Sequence, residues 1–429
     1  SSGIQTVTTF LILAVLLILL LAGIPIAFTL GGLGLVLLAL EGFNPIMIPQ
    51  GLYSSIDNFI LLAVPLFLLM SNILLKGGVG KDLFAAVQSW VGHWPGGLGV
   101  ATITSCALFA AISGSSVATA ATIGTVAIPE MTQRGYNRRF VLGLLAAGGT
   151  LGILIPPSII LIVYGVITEE SIIGLFTAGI GPGIFLAVAF SVYSMVYARY
   201  KGQFEIAPKA TWEERKRASI RAIPTVSLAA IVIFGIYFGI FTPTEAAGIG
   251  FVLALIITFG MRRMTLEKIK EASIEAMQTT VTIFLIVAGA KIFSKAVTLY
   301  RIPQDVSQMV IANFSEPWSF VLVICAVLLI MGFFLEALSM LLIMVPVIYP
   351  TLGIMGIDPI WFGIVFVIMV ECALITPPVG LNLFVIQAVG NATLTEVSSG
   401  VWPFIVIMLS TVVVLYFWPA LAMYLPYAF

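Results

Sequence analysis

Serine, threonine, glycine and acidic residues interrupt this sequence at two places where an apolar run would otherwise be continuous. The first holds Ile112-Ser113-Gly114-Ser115-Ser116, then Gly148-Gly149-Thr150-Leu151-Gly152, then Pro156-Pro157-Ser158. The second holds Leu335-Glu336-Ala337-Leu338-Ser339, then Glu371, then Thr376-Pro377-Pro378. Glycine allows a sharp turn, and a helix that stops inside an apolar region leaves end carbonyls and amides without intrahelical partners. Carbonyls at the negative end of a half-helix suit Na+, and amides at the positive end suit an anion. Tandem proline removes two amide donors and disfavours helix at the preceding residue, so the carbonyls from Gly152 to Ile155 are expected to be free. With the hydroxyls of Ser113, Ser115, Ser116 and Thr150 they offer oxygens to a small hard cation without any fixed charge. Glycine and serine also let membrane helices pack closely, but the doubling of the pattern favours an ion site.

Glu336 and Glu371 add charge to the second place. A carboxylate at membrane depth is costly, so it marks function by default. Either acid could be neutralised by Na+ or a proton, or could bind hydroxyls of a cargo, and Glu371 could instead pair with Lys291 or Lys295. Thr376 and Asn382 supply further oxygens. Asp57-Asn58 and Glu245 belong to scaffold or loop.

The elements that position these residues follow from the hydropathy. Of 429 residues 60% are hydrophobic and 9% charged, with mean hydropathy +1.16, too few charges to cover a water-facing surface. A spanning helix takes about 20 apolar residues. Spans are expected over residues 6–21, 24–40, 59–75, 140–167 with a break, 172–198, 223–241, 246–261, 280–299, 361–388 with a break, and 404–423. Residues 98–131 and 320–349 are too long and too interrupted for one span, and each fits a re-entrant hairpin with a polar tip. Irregular backbone at that depth must be buried in protein or line a cavity. With the N-terminus periplasmic, all of the 19 basic residues except Lys291, Lys295 and Arg301 fall on the cytoplasmic side. The apolar N-terminus lacks a basic leader or cleavage site and is taken as a membrane helix, and Ser1-Ser2-Gly3 as an expression remnant.

The chain repeats itself. Pro25 matches Pro243 at an offset of 218, Lys76 matches Lys295 at 219, and Pro129, Pro156 and Pro157 match Pro350, Pro377 and Pro378 at 221. Glu336 then aligns with Ser115 and Glu371 with Thr150. Each half has five spans and one hairpin, an odd number of crossings, so the second half is inverted. Inverted repeats with paired helix breaks are a plan of secondary transporters. The fold class is an all-α polytopic membrane protein, each repeat having spanning helices, a re-entrant hairpin and a broken helix. Residues 1–94 form the scaffold helices and arm of the first repeat and 95–200 its transport part. The basic stretch 201–222 is a cytoplasmic connector facing lipid. Residues 223–315 and 316–429 repeat the plan. Residues 81–94 and 265–278 are helical but too polar to span; they lie in the membrane interface or act as arms between a scaffold and a moving part.

Other functions are excluded by composition. The net charge is zero, which leaves no nucleic-acid footprint. A single histidine, His93, allows no two-histidine metal site, and no Walker-type loop is present, so no enzyme or ATPase is expected. Cys106, Cys325 and Cys372 sit in apolar runs as small buried side chains.

Phe241-Thr-Pro-Thr-Glu-Ala-Ala247, Thr376-Pro-Pro-Val-Gly-Leu-Asn-Leu-Phe384 and Ser113-Gly-Ser-Ser-Val-Ala-Thr119 with Pro156-Pro-Ser158 together resemble a known family. They resemble the large membrane subunit of tripartite ATP-independent periplasmic (TRAP) transporters over essentially the whole chain. The resemblance implies an elevator-type scaffold and transport domain in a bacterial inner membrane, driven by Na+, with two or more ions and no organic cofactor. It implies a small four-helix membrane subunit and a periplasmic substrate-binding protein as partners. Implied cargoes are carboxylates such as C4-dicarboxylates and sialic acid. Implied Na+ sites fall on Ser113, Gly114, Ser115 and Ser116 with Gly149, Thr150, Gly152, Ile155 and Pro156. A second set falls on Gly332 and Ser339 with Cys372, Thr376 and Pro377. Implied substrate contacts are Ser113, Ser158 and Glu336, the last a position often held by Asp in the family. The alternative is a stand-alone ion-coupled carboxylate transporter, antiporter or channel of the same fold that needs no binding protein.

Overall fold

Capping chemistry sets where the helices begin. Thr211, Thr242 and Thr393 each start a helix with a capping box closed by Glu214, Glu245 and Glu396. The Thr242-Pro243-Thr244-Glu245 passage is therefore a helix start, with the exposed acid Glu245 as a local backbone partner. Asn58 likewise accepts from the Ile60 amide at 2.9 Å.

The computed structural model describes residues 2–202 and 204–427, and every regular element among them is helical. The first half runs α1 (Ser2–Leu21), α2 (Ile26–Leu40), α3 (Met47–Ile56), α4 (Ala63–Lys76), α5 (Val79–Val91), α6 (Gly97–Ser113), α7 (Ser116–Gln133), α8 (Arg138–Thr150), α9 (Ile159–Thr168) and α10 (Ile172–Lys201). The second half runs α11 (Trp212–Tyr237), α12 (Pro243–Gly260), α13 (Leu266–Leu299), α14 (Ile302–Asn313), α15 (Pro317–Met331), α16 (Ala337–Ile354), α17 (Pro359–Ile375), α18 (Leu381–Gly390), α19 (Leu394–Phe417) and α20 (Ala420–Tyr427). Of the opening Ser1-Ser2-Gly3, Ser1 lies outside the described residues.

Both hairpins turn back. The Gln88 amide on α5, the helix leading into the first hairpin, donates to Glu130 near the end of α7 at 3.0 Å. Ser307 on α14, the helix leading into the second, bonds Thr351 near the end of α16 at 2.7 Å. Glu130 and Thr351 are themselves 221 residues apart, the offset of the repeat. In each half the hairpin thus returns to the helix that introduced it, and α14 meets α15 at a bend of 119°. Among the described residues eight unbent helical stretches are long and apolar enough to cross a membrane. One of the eight, α16, belongs to the second hairpin; the other seven, with α2 of 15 residues and the two broken pairs α8–α9 and α17–α18, make the ten expected spans.

One expectation is corrected. Residues 265–278 are not a separate interfacial helix: they are the first turns of α13, one helix of 34 residues. Their counterpart under the repeat is α3, and the counterpart of α5 is α14, a helix the hydropathy did not single out.

The two halves join along α2 and α13, where small residues let backbones approach. A Cβ on Gly34 would lie 2.8 Å from Ile292 Cγ2 and 2.9 Å from the Phe293 nitrogen. Gly34→Val should therefore destabilise the protein by about 1–3 kcal/mol. Thermal unfolding of the detergent-solubilised variant measures this, and an unchanged melting temperature would contradict the tight seam.

Candidate functional site

The first tip is a two-residue break. α6 ends at Ser113, Gly114 takes φ +63° as its C-cap, and Ser115 caps α7 by accepting from the Ala118 amide at 3.3 Å. Ser113 Oγ lies 2.9 Å from Thr119 Oγ1, which also donates to the Ser115 carbonyl at 2.8 Å. This tip sits backbone-to-backbone on the first helix break. A Cβ on Gly149 would be 3.1 Å from the Ser116 carbonyl oxygen, and one on Gly114 would be 3.0 Å from that of Pro157. A Cβ on Gly152 would collide with the Ser115 carbonyl.

The expected free carbonyls are there. Among the described residues no backbone amide donates to the carbonyls of Gly152, Ile153, Leu154 or Ile155. At the second break the same holds for Leu374, Ile375, Thr376 and Pro377. Both Pro156-Pro157 and Pro377-Pro378 are cis. The Thr150 hydroxyl is turned onto the Ala147 carbonyl at 2.5 Å, and that of Thr376 onto Cys372 at 2.6 Å.

The second tip repeats the plan with charge added. α15 ends before Gly332, whose missing side chain lets it lie against Ala373 of α17, 3.1 Å from a would-be Cβ to the Ala373 Cα. Glu336 stands at the N-cap of α16 and is exposed, and its Oε1 accepts from Ser339 at 3.1 Å.

The tips meet at one cavity of about 400 Å³. Its wall includes Ser115 and Ser116 from the first tip, Glu336 from the second, Ile153 from the first break and Glu371 above the second. Among the described residues no Lys, Arg or His lines it. Glu371 is 1% exposed. Its Oε2 accepts from Asn382 at 3.4 Å and the Ser116 hydroxyl faces the same carboxyl. Its Oε1 and the Asn382 Oδ1 have no hydrogen-bond partner. Neither candidate lysine pairs with it: Lys295 lies over the Phe43 ring at 4.6 Å, and both lysines line a different cavity. Buried polar atoms normally find partners, and oxygens such as these two can take up a cation or a proton.

Ser113 and Ser158 are buried and are not in the cavity wall; Ser158 caps α9 by accepting from the Leu161 amide at 3.3 Å. Sequence reasoning missed Gln278, Thr279 and Thr282, which line the cavity from α13. The signal was present as Gln278-Thr279-Thr280-Val281-Thr282, a polar run at helical spacing just before the apolar part of that helix.

An all-helical polytopic chain whose two inverted repeats bring hairpin tips and helix breaks to one cavity, largely apolar with a few convergent polar groups, is a transporter by class, not an enzyme. The family model described as "Tripartite ATP-independent periplasmic transporter, DctM component" matches residues 13–421, so the chain belongs to this family of multi-pass membrane permeases. It is 39% identical over 376 residues to the C4-dicarboxylate TRAP transporter large permease protein of Pseudomonas aeruginosa, covering 87% of this chain and 88% of that one. It is 34% identical over 413 residues to the sialic acid TRAP transporter large permease protein of Vibrio cholerae, covering 96% of each. Its fold is similar to that of the YdaH transporter of Alcanivorax borkumensis, with TM-score 0.66 at 12% identity, covering 95% of this chain and 99% of that one.

Proposed function

We propose that the chain is the large membrane subunit of a Na+-coupled importer of a small carboxylate in a bacterial inner membrane, with its N-terminus periplasmic. It receives cargo from a periplasmic binding protein and works with a small four-helix membrane subunit. The observation that carries the coupling is the charge of the cavity: Glu336 and Glu371 line it and no base does. An anionic cargo entering such a wall is repelled unless cations enter with it, and the free carbonyls at the two breaks and the orphan oxygens of Glu371 and Asn382 suit Na+ as co-cargo. The Na+ sites are the tip 113–116 with the break 149–156, where Gly152 lies against Ser115, and the tip 332–339 with the break 372–377, where Gly332 lies against Ala373. The part built of hairpins, broken helices, α10 and α19 moves against the scaffold of α1–α4 and α11–α13, with α5 and α14 as arms.

Uptake of labelled succinate and of N-acetylneuraminate into proteoliposomes tests this, with the small subunit reconstituted and a cognate binding protein outside. Uptake of one of them that needs an inward Na+ gradient and the binding protein is the expected result. Uptake that ignores Na+ would remove the coupling, and uptake without the binding protein would favour the stand-alone transporter. Ser115→Ala and Ser116→Ala should each raise the half-saturating Na+ concentration about fivefold, the effect of losing one hydroxyl ligand. An unchanged Na+ titration would displace the first ion site from this tip.

A further inference from the structure

A second cavity, of about 700 Å³, lies apart from the one between the hairpin tips. It opens where the end of α4 and the start of α5 meet the first turns of α11 and the α12–α13 turn. Its wall is basic. Some of that charge is already used: Lys76 pairs with Glu271 at 3.3 Å and Glu275 at 3.0 Å, and Arg263 pairs with Asp82. The remaining acid in the wall, Glu214, is held by its capping box with the Thr211 amide at 3.0 Å. Lys81, Arg217, Arg221 and Arg262 line the same cavity and form no ion pair or side-chain hydrogen bond among the described residues. Four cations from three elements therefore converge on one concavity without an anion.

The level of the cavity says which anion can reach it. On the same α5–α11 pair, the Trp90 and Trp212 rings meet edge to face at 5.8 Å, and both are exposed. Arg215 lies over the Trp90 ring at 5.2 Å, and Trp90 Nε1 donates to Ser219 at 2.9 Å. Exposed tryptophans with a polar tip satisfied gather at the headgroup level of a bilayer. From Ala222 onward α11 turns apolar, so the cavity lies where headgroups end and acyl chains begin. Basic pockets between helices at that depth recognise anionic headgroups.

We propose that this cavity binds a phosphate-bearing anion, supplied as the headgroup of an anionic phospholipid, which bridges the arm α5 to the scaffold helices α11 and α12. Thermal unfolding of the full chain is followed in phosphatidylcholine micelles, with increasing phosphatidylglycerol or with inorganic phosphate. Phosphatidylglycerol is expected to raise the melting temperature. Each lost cation in Arg217→Gln, Arg221→Gln or Arg262→Gln should shift the titration midpoint about fivefold to higher lipid. The variants are compared only where they melt like the parent in phosphatidylcholine alone, and Lys81→Gln, at the exposed start of α5, serves as a fourth. Lys201→Gln, outside the cavity, should leave the midpoint in place. The same stabilisation by inorganic phosphate, lost in the same variants, would keep the site and make a soluble phosphate its source. No stabilisation by either, or a midpoint that the three arginine variants do not move, would overturn the proposal.

Discussion

Replacing Glu371 by glutamine should raise the Na+ concentration for half-maximal uptake about tenfold or more while leaving the protein folded. The substitution keeps the shape of a side chain that is 1% exposed and keeps an acceptor for Asn382. What it removes is charge beside two unpartnered oxygens, Glu371 Oε1 and Asn382 Oδ1. An ionised carboxylate with only Asn382 and Ser116 as partners costs several kcal/mol to bury, so a proton or a cation must neutralise it, and Na+ is the proposed cation when cargo is bound. Losing one charged partner is worth about 1.5–3 kcal/mol, which sets the size of the expected shift. Glu336→Gln makes the comparison: Glu336 is exposed in the same cavity, so its neutralisation should act on cargo affinity more than on Na+. If Glu371→Gln left the Na+ titration in place and instead abolished a pH dependence of uptake, Glu371 would be a proton carrier and not a Na+ ligand.

The architecture was legible because its breaks are local chemistry. Gly114 followed by Ser115 is a C-cap and an N-cap side by side, and Pro156-Pro157 cannot continue a helix, so these features announce themselves without tertiary information. The inverted repeat was legible because both halves use the same prolines at fixed spacing. What was hidden depends on contacts between distant segments. The polar start of α13 looks interfacial by composition, yet one continuous helix carries it, and nothing local marks the continuity. The approach of Ser116 to Glu371 joins the tip of one repeat to the break of the other, and an alignment that pairs Ser115 with Glu336 cannot foresee it.

Gly152→Ala should nearly abolish uptake with only a modest loss of stability. Gly152 lies in the first break, and an added methyl would meet the Ser115 carbonyl carbon at 2.7 Å and Thr119 Oγ1 at 2.7 Å. Tight contacts of this kind cost about 1–3 kcal/mol, which a large buried core absorbs without unfolding. The tip has no such reserve. Ser115 supplies a carbonyl to Thr119 and a hydroxyl to the Ala118 amide, so pushing it away from Gly152 displaces both the α7 cap and the carbonyls proposed to hold Na+. Gly353→Ala separates this effect from a general intolerance of alanine, since Gly353 also sits in a membrane helix and a Cβ there meets nothing within 4 Å. The checks are uptake and melting temperature measured on both variants. Gly353→Ala should match the parent in each. Gly152→Ala should keep a cooperative melt but lose uptake and the stabilisation that Na+ gives over K+. Full uptake by Gly152→Ala would mean that the tip and the break separate during the cycle without their contact mattering, and the first ion site would have to lie elsewhere.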